Sequence, residues 1–179
     1  MTRRRLFVGV VLLHAIVLLG WAGSLELARA RATHVRLEIV PVDPRDLLRG
    51  DFMALRYAIS TLTEGQFVGR RPEWSDIGYP VYVALVPRNG FHVVAAASLE
   101  RAALPLGAGQ RLIVGRLTYA PQVGRVSATP LGVEYGIERY YVPEGKGTPP
   151  PGRREAEVAL TDDGRAYLVR LLVDGTPYP

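Results

Sequence analysis

"DPRDLLRGDFMALRYAIS", residues 43–60, changes character at its midpoint. The first half is turn chemistry: Asp43, Pro44, Asp46, Arg49, Gly50 and Asp51 crowd into nine residues. The second half alternates. Met53, Leu55, Tyr57 and Ile59 fall on one side of an extended chain, and Phe52, Ala54 and Arg56 on the other. A period of two predicts a strand with one buried face, here the Met53–Ile59 set. Asp43-Pro44 and Gly50-Asp51 then read as turns that fix the start and register of that strand.

Further short alternating or apolar runs extend the pattern along the chain. They occupy 34–40, 81–87, 91–99, 111–120, 125–132, 155–161 and 166–175. Arg88-Asn89-Gly90 joins the second and third of these, and Asn-Gly is a strong hairpin signal because both residues tolerate positive φ. Asp162-Asp163-Gly164 predicts a second hairpin between the last two. Between the runs, 61–79 is irregular with a short helix expected near "RPEWSDI", and 143–152, "PEGKGTPPPG", reads as an exposed loop. No repeat and no second domain is visible. The predicted fold is mainly β: a small antiparallel barrel or sandwich of seven or eight strands over residues 33–179.

Ahead of this domain lies a different kind of segment. Arg3, Arg4 and Arg5 form a basic flank over residues 1–5, and an uncharged run follows from Leu6 to Leu25. A run of this length spans about 30 Å as a helix, the thickness of a bilayer core. It predicts one N-terminal transmembrane helix, a signal-anchor over 6–27 in contact with lipid. The run exceeds the roughly 7–15 residues of a cleavable signal, so an uncleaved anchor is expected although "ARA", 28–30, offers small residues for a peptidase. The basic flank places the N-terminus in the cytoplasm and the β-rich domain outside it. His14 reads as a neutral residue of the span, and Trp21 as an interfacial ring.

Composition narrows the function. There is no cysteine, so no disulfide, thiolate zinc site or cysteine nucleophile exists. The net charge of +5 falls to +2 once Arg3–Arg5 are set aside, with 19 basic against 17 acidic residues from Leu6 onward. A near-neutral folded part with interspersed charge argues against nucleic-acid binding. His14, His34 and His92 have no metal-pair spacing. There is no Gly-x-Ser-x-Gly elbow and no glycine loop opening a helix, so no cofactor is implied.

Two polar clusters remain: Asp46, Arg49 and Asp51 before the motif strand, and Glu138, Arg139 and Tyr140 in "YGIERYY". Their structural reading is turn capping and ion pairing. Their functional reading, if the segments meet, is a binding patch with aromatic walls, or a small-ligand or hydrolytic site.

"GDFMALRY", 50–57, resembles the signature of the GDYXXLXY family, with Gly50, Asp51, Leu55 and Tyr57 in place and Phe52 where the name has Tyr. "YGIERYYVPEG", 135–145, and the closing "DDGRAYLVRLLVDGTP" are similar to the same family. The resemblance implies a membrane-anchored bacterial protein of unestablished biochemical activity, often encoded beside a polytopic membrane protein. Phe52 implies that no chemistry depends on a hydroxyl at that position. The expected function is therefore a binding or accessory module outside the cytoplasm, partnered with a polytopic membrane protein, and not an enzyme. The alternative is the small-ligand or hydrolytic domain.

Overall fold

The computed structural model describes residues 3–41, 52–121, 130–141 and 151–178. Asp43, Asp46, Arg49, Gly50 and Asp51 lie outside the described residues, as do 125–129 of the predicted run 125–132 and most of the Pro-Gly loop. The chain forms two units, Met1–Ala32 and Thr33–Pro179.

The first unit is one helix, α1 (Arg3–Ala30), 28 residues long. Its large apolar side chains, from Leu6 to Leu27, are exposed to the surroundings. Length and apolarity over Arg3–Leu27 suit a membrane crossing. The polar groups within it are satisfied locally. His14 Nδ1 donates to the Val10 carbonyl at 3.0 Å in the tautomer protonated there, and Ser24 Oγ donates to the Trp21 carbonyl at 2.7 Å. Such bonds lower the cost of placing these side chains in an apolar medium.

The second unit is mainly β. Its segments are β1 (Thr33–Val40), β2 (Phe52–Ala54), β3 (Arg56–Tyr57), β4 (Thr61–Leu62), β5 (Pro80–Arg88), β6 (Phe91–Ser98), β7 (Arg111–Tyr119), β8 (Leu131–Glu134), β9 (Arg139–Tyr141), β10 (Arg154–Leu160), β11 (Ala166–Val173) and β12 (Thr176–Tyr178). The predicted alternation holds on β1 and on the motif strand. Val35, Leu37 and Ile39 are buried, and so are Met53, Leu55, Tyr57 and Ile59, with Arg56 on the open side. Asn89 and Gly90 both take positive φ, +50° and +84°, and close the β5–β6 hairpin from Arg88 to Phe91. The Asp162-Asp163-Gly164 turn connects β10 to β11 as a longer loop, held by Thr161 N–H to the Arg165 carbonyl at 3.0 Å. The short helix expected near "RPEWSDI" is a 3-10 turn, Trp74–Asp76.

All ladders between these strands are antiparallel, in the orders β12-β11-β10-β1-β3, β2-β9 and β4-β8-β7-β5-β6. Three groups arise because two long strands are interrupted. Residues 52–62 carry β2, β3 and β4, and residues 131–141 carry β8 and β9. Joining each set gives one curled sheet, a half-barrel, in which β6 comes round to lie against β1. The expected choice between barrel and sandwich therefore resolves to a half-barrel. The higher number of segments comes from the interruptions and from the short β12.

The core fills the concave side: Leu37, Tyr57, Leu62, Val83, Leu85, Ile113, Leu117, Leu131 and Leu171 are essentially inaccessible. Burying an aliphatic side chain of this kind contributes about 1.5–3 kcal/mol. The exposed edges are managed. Val68 N–H bonds the Ala97 carbonyl at 2.8 Å and covers part of β6, while a bulge beside Val169 disturbs the edge of β11.

Candidate functional site

The motif strand and residues 131–141 form a seam through the middle of the curled sheet. At one end Phe52, Met53 and Ala54 pair with Tyr141, Tyr140 and Arg139, and Leu55 N–H bonds the Glu138 carbonyl at 2.7 Å. At the other end Thr61 and Leu62 pair with Gly132 and Leu131. Five residues lie between these paired ends on each strand, 56–60 and 133–137, so both ends share one register. The ladder is open only in the middle. There Ala58–Ser60 make a 3-10 turn, and Gly136 takes φ +79° in a turn that Glu138 caps, its Oε1 accepting Tyr135 N–H at 2.6 Å. Bends of this kind let a strand pass around the corner of a sheet.

Two tyrosines bridge the opening in opposite directions. Tyr57 Oη donates to the Ile137 carbonyl at 2.6 Å, and Tyr135 Oη donates to the Ile59 carbonyl at 2.7 Å. Each hydroxyl thus serves a carbonyl beside the other ring. Burial pushes both phenols far above their ordinary range, and the nearby Glu138 carboxylate adds to this. Both stay protonated and act as donors. The Tyr135 ring needs Gly115 beneath it: a Cβ there would stand 2.5 Å from Val133 Cγ1, 2.8 Å from the Glu134 carbonyl oxygen and 2.9 Å from Tyr135 Cδ1.

The seam includes the signature residues Phe52, Leu55 and Tyr57. A family model described as "GDYXXLXY protein" matches residues 14–171. The chain belongs to the GDYXXLXY family. No curated protein and no solved structure matches it. In this GDYXXLXY chain the signature Leu55 is a buried core residue and the signature Tyr57 is a buried clasp. The signature Gly50 and Asp51 lie outside the described residues, and Phe52 is placed by its backbone pairing to Tyr141.

On the outer face, over the open part of the seam, lies a cleft of about 480 Å³. Its walls are Ala54, Leu55, Arg56, Ser60 and Thr61 from the motif strand, Pro130 to Glu134 and Glu138 from the facing strand, and Thr118 and Tyr119 from β7. A bulge in the β7–β8 ladder between Leu117 and Tyr119 leaves both Thr118 and Tyr119 exposed at the rim. Bulges are a common means of re-aiming side chains beside a site. Ser60 Oγ is buried without a hydrogen-bond partner among the described residues.

The sequence-predicted candidates separate. Glu138 is at the cleft, where it also caps the Tyr135 turn. Arg139 and Tyr140 are not in its walls. Tyr140 packs on the other side, its Oη donating to the Tyr178 carbonyl at 3.1 Å and its ring 6.4 Å from that of Tyr178. Burial pushes the Tyr140 phenol up as well. Asp46, Arg49 and Asp51 lie outside the described residues. Sequence reading put Arg56 on the face opposite the buried Met53–Ile59 set. It gave no reason to select Ser60, Thr118 or Tyr119, since a bulge in a neighbouring strand leaves no local pattern.

A second polar cluster organises the loop before β5. Arg70 grips Asp76 with two bonds of 2.7 Å, and Asp76 also accepts Glu73 N–H at 2.8 Å. The guanidinium hydrogen bonds hold the Asp76 carboxyl below its usual range. Asp76 is 6% exposed, and both its oxygens are occupied, which identifies a structural clamp.

Proposed function

We propose that this protein is a single-pass membrane protein, N-terminus in the cytoplasm, whose β-rich domain works outside it as a binding or accessory module for a polytopic membrane protein. The observation that carries the reading is the apolar helix Arg3–Ala30, headed by Arg3, Arg4 and Arg5 and followed within three residues by β1 at Thr33. The state of the motif supports a module over an enzyme. Tyr57 and Tyr135 spend their hydroxyls on main-chain carbonyls and are held protonated. The signature strand then serves as framework for the cleft above it.

The test is cross-linking and affinity purification of the full-length, C-terminally tagged protein from native membranes. Recovery of one polytopic protein, retained when α1 is exchanged for an unrelated span, is the expected result. Recovery of no membrane partner from either form overturns the partner assignment. Orientation is readable by labelling single introduced cysteines with a membrane-impermeant maleimide, because the chain has none of its own. Labelling of a domain cysteine only after membrane disruption overturns the extracytoplasmic placement.

The cleft over the seam favours a second reading, in which the same domain binds a small ligand.

A further inference from the structure

The ladders give the curled sheet two unlike ends. Thr33 opens β1 opposite Leu160, and Ile39 and Val40 pair with Tyr57 and Arg56, so the motif strand runs toward the end at which β1 begins. Leu62 pairs with Leu131, Tyr119 with Gly132 and Pro80 with Arg116, which brings the end of β7 and the starts of β5 and β8 to that same end. The connection 63–79 is fastened there. Val68 N–H bonds the Ala97 carbonyl near the end of β6, and Leu117 N–H bonds the Tyr79 carbonyl at 3.0 Å. Seven large apolar side chains are exposed among the described residues of the β-rich unit, and four of them, Val68, Trp74, Tyr79 and Tyr119, stand at this end. The opposite end, which carries the β5–β6 turn, has one, Tyr141. Trp74 and Tyr79 are 56% and 61% exposed, although the Arg70–Asp76 clamp holds their turn in place. Rigidly presented Trp and Tyr rings, apolar in body and polar at one edge, suit the boundary between water and hydrocarbon.

The chain also enters β1 at this end. Arg31 and Ala32 alone separate the last residue of α1 from Thr33, a reach of at most about 11 Å. We propose that the loop from Val68 to Tyr79, together with Tyr119, docks on the surface of the bilayer that α1 crosses, with the Trp74 and Tyr79 rings at the level of the lipid headgroups. The occupant is lipid because so short a tether keeps a bilayer within reach of this end at all times. A flat surface is also met by side chains from separate elements, as these are, without a groove to receive them. Charge contributes little. Arg70 and Arg71 pair with Asp76 and Glu64, and Arg165 of the β10–β11 turn pairs with Asp163, so this end offers rings rather than a strong net charge. The inference rests on the membrane-spanning reading of α1 and names the surface through which the domain settles on that membrane.

The protein has two tryptophans, Trp21 in α1 and Trp74, so single-tryptophan variants report on each. Both rings are exposed, and neither Trp21→Phe nor Trp74→Phe touches the core. The two full-length variants are reconstituted into phosphatidylcholine nanodiscs whose acyl chains are brominated near the headgroup or near the chain end. Bromine quenches indole emission only at near-contact range. The expected result is quenching of Trp74 by the shallow bromines and poor access of aqueous iodide to it. Added salt should leave the bromine quenching unchanged, since only a charge-driven contact is screened. Val68→Ser with Tyr79→Ser should lower that quenching by about twofold or more, because interfacial binding scales with the apolar area inserted. In native membranes, a photo-reactive residue at position 74 should yield lipid adducts. Trp74 unquenched and open to iodide, with Trp21 quenched, overturns the docking and leaves the anchor standing. Trp21 quenched by neither lipid overturns the anchor and the docking together. Quenching of Trp74 that salt abolishes overturns the apolar assignment, and a protein adduct in place of lipid overturns the lipid assignment in favour of a protein.

Discussion

The seam and the β5–β6 hairpin join neighbouring strands of the same sheet by different means. The hairpin is closed by two adjacent residues, Asn89 and Gly90, and its ladder runs from Arg88↔Phe91 to Tyr82↔Ser98 with one bulge. The seam joins residues 76 and 80 positions apart, and at its centre side-chain hydroxyls replace main-chain donors. The hairpin is built from backbone, and almost any side chain that fits the face will serve. The seam is built from two particular phenols, so Tyr57 of the signature has a structural reason. It also leaves an opening on the outer face, which the hairpin does not.

The comparison breaks most visibly at Tyr57. Tyr57→Ala should cost about 4 kcal/mol, a large core cavity plus an unpaired carbonyl, and leave the domain unfolded or nearly so in a urea titration. A loss under about 1 kcal/mol would make the seam no more critical than a turn. Tyr57→Phe and Tyr135→Phe remove only hydroxyls and should each cost about 1–2 kcal/mol. Because they bridge the same opening, a double-mutant cycle should show them coupled; strict additivity would refute the reciprocal clasp. On the hairpin side, Gly90→Ala forces a Cβ into φ +84° and should cost about 1 kcal/mol. Arg56→Ala, on the open side of the seam, should change stability by under about 0.5 kcal/mol.

The pH dependence sharpens the same contrast. Tyr57 and Tyr135 have folded-state pKa values raised above the unfolded value near ~10. The stability they contribute is complete below pH ~10 and is lost as pH rises beyond it. Of the nine tyrosines, these two should ionise only when the domain opens, which tyrosinate absorbance followed alongside circular dichroism will reveal. Asp76 runs the other way. Its folded pKa is lowered, so its contribution is complete above pH ~4 and disappears as pH falls below that. Asp76→Asn should flatten the acid limb of the stability profile and leave the alkaline limb unchanged.

Much of the sheet was legible because its signals are local. A period of two marked Met53, Leu55, Tyr57 and Ile59 as the buried face, and Asn89-Gly90 marked its own turn. The meeting of the two polar clusters was half legible. The segments do pair, at Ala54↔Arg139 and Leu55 N–H to the Glu138 carbonyl, yet Tyr140 stands opposite the buried Met53 and packs on Tyr178, while Glu138 belongs to the turn before β9 and reaches the cleft. The clasp was not legible. Nothing near Tyr57 names Ile137 as its acceptor, and Gly115 reads as an ordinary strand residue until the Tyr135 ring is found above it. Long-range features of this kind depend on how two strands bend together, and that is decided by the packing of the whole sheet.

The sequence distance across the seam also sets an order of events at birth. The motif strand leaves the ribosome about 80 residues before its partner, an interval of roughly 4–16 s at ordinary synthesis rates. β1 waits longer still, because β10 begins only at Arg154. The β5–β6 hairpin closes alone in microseconds, while β1 and the motif strand, which pair with each other only at Ile39↔Tyr57 and Val40↔Arg56, each keep an open edge. Nascent chains of this protein therefore carry an open, apolar strand edge for seconds, and a holding chaperone should find its binding segment between residues 52 and 62.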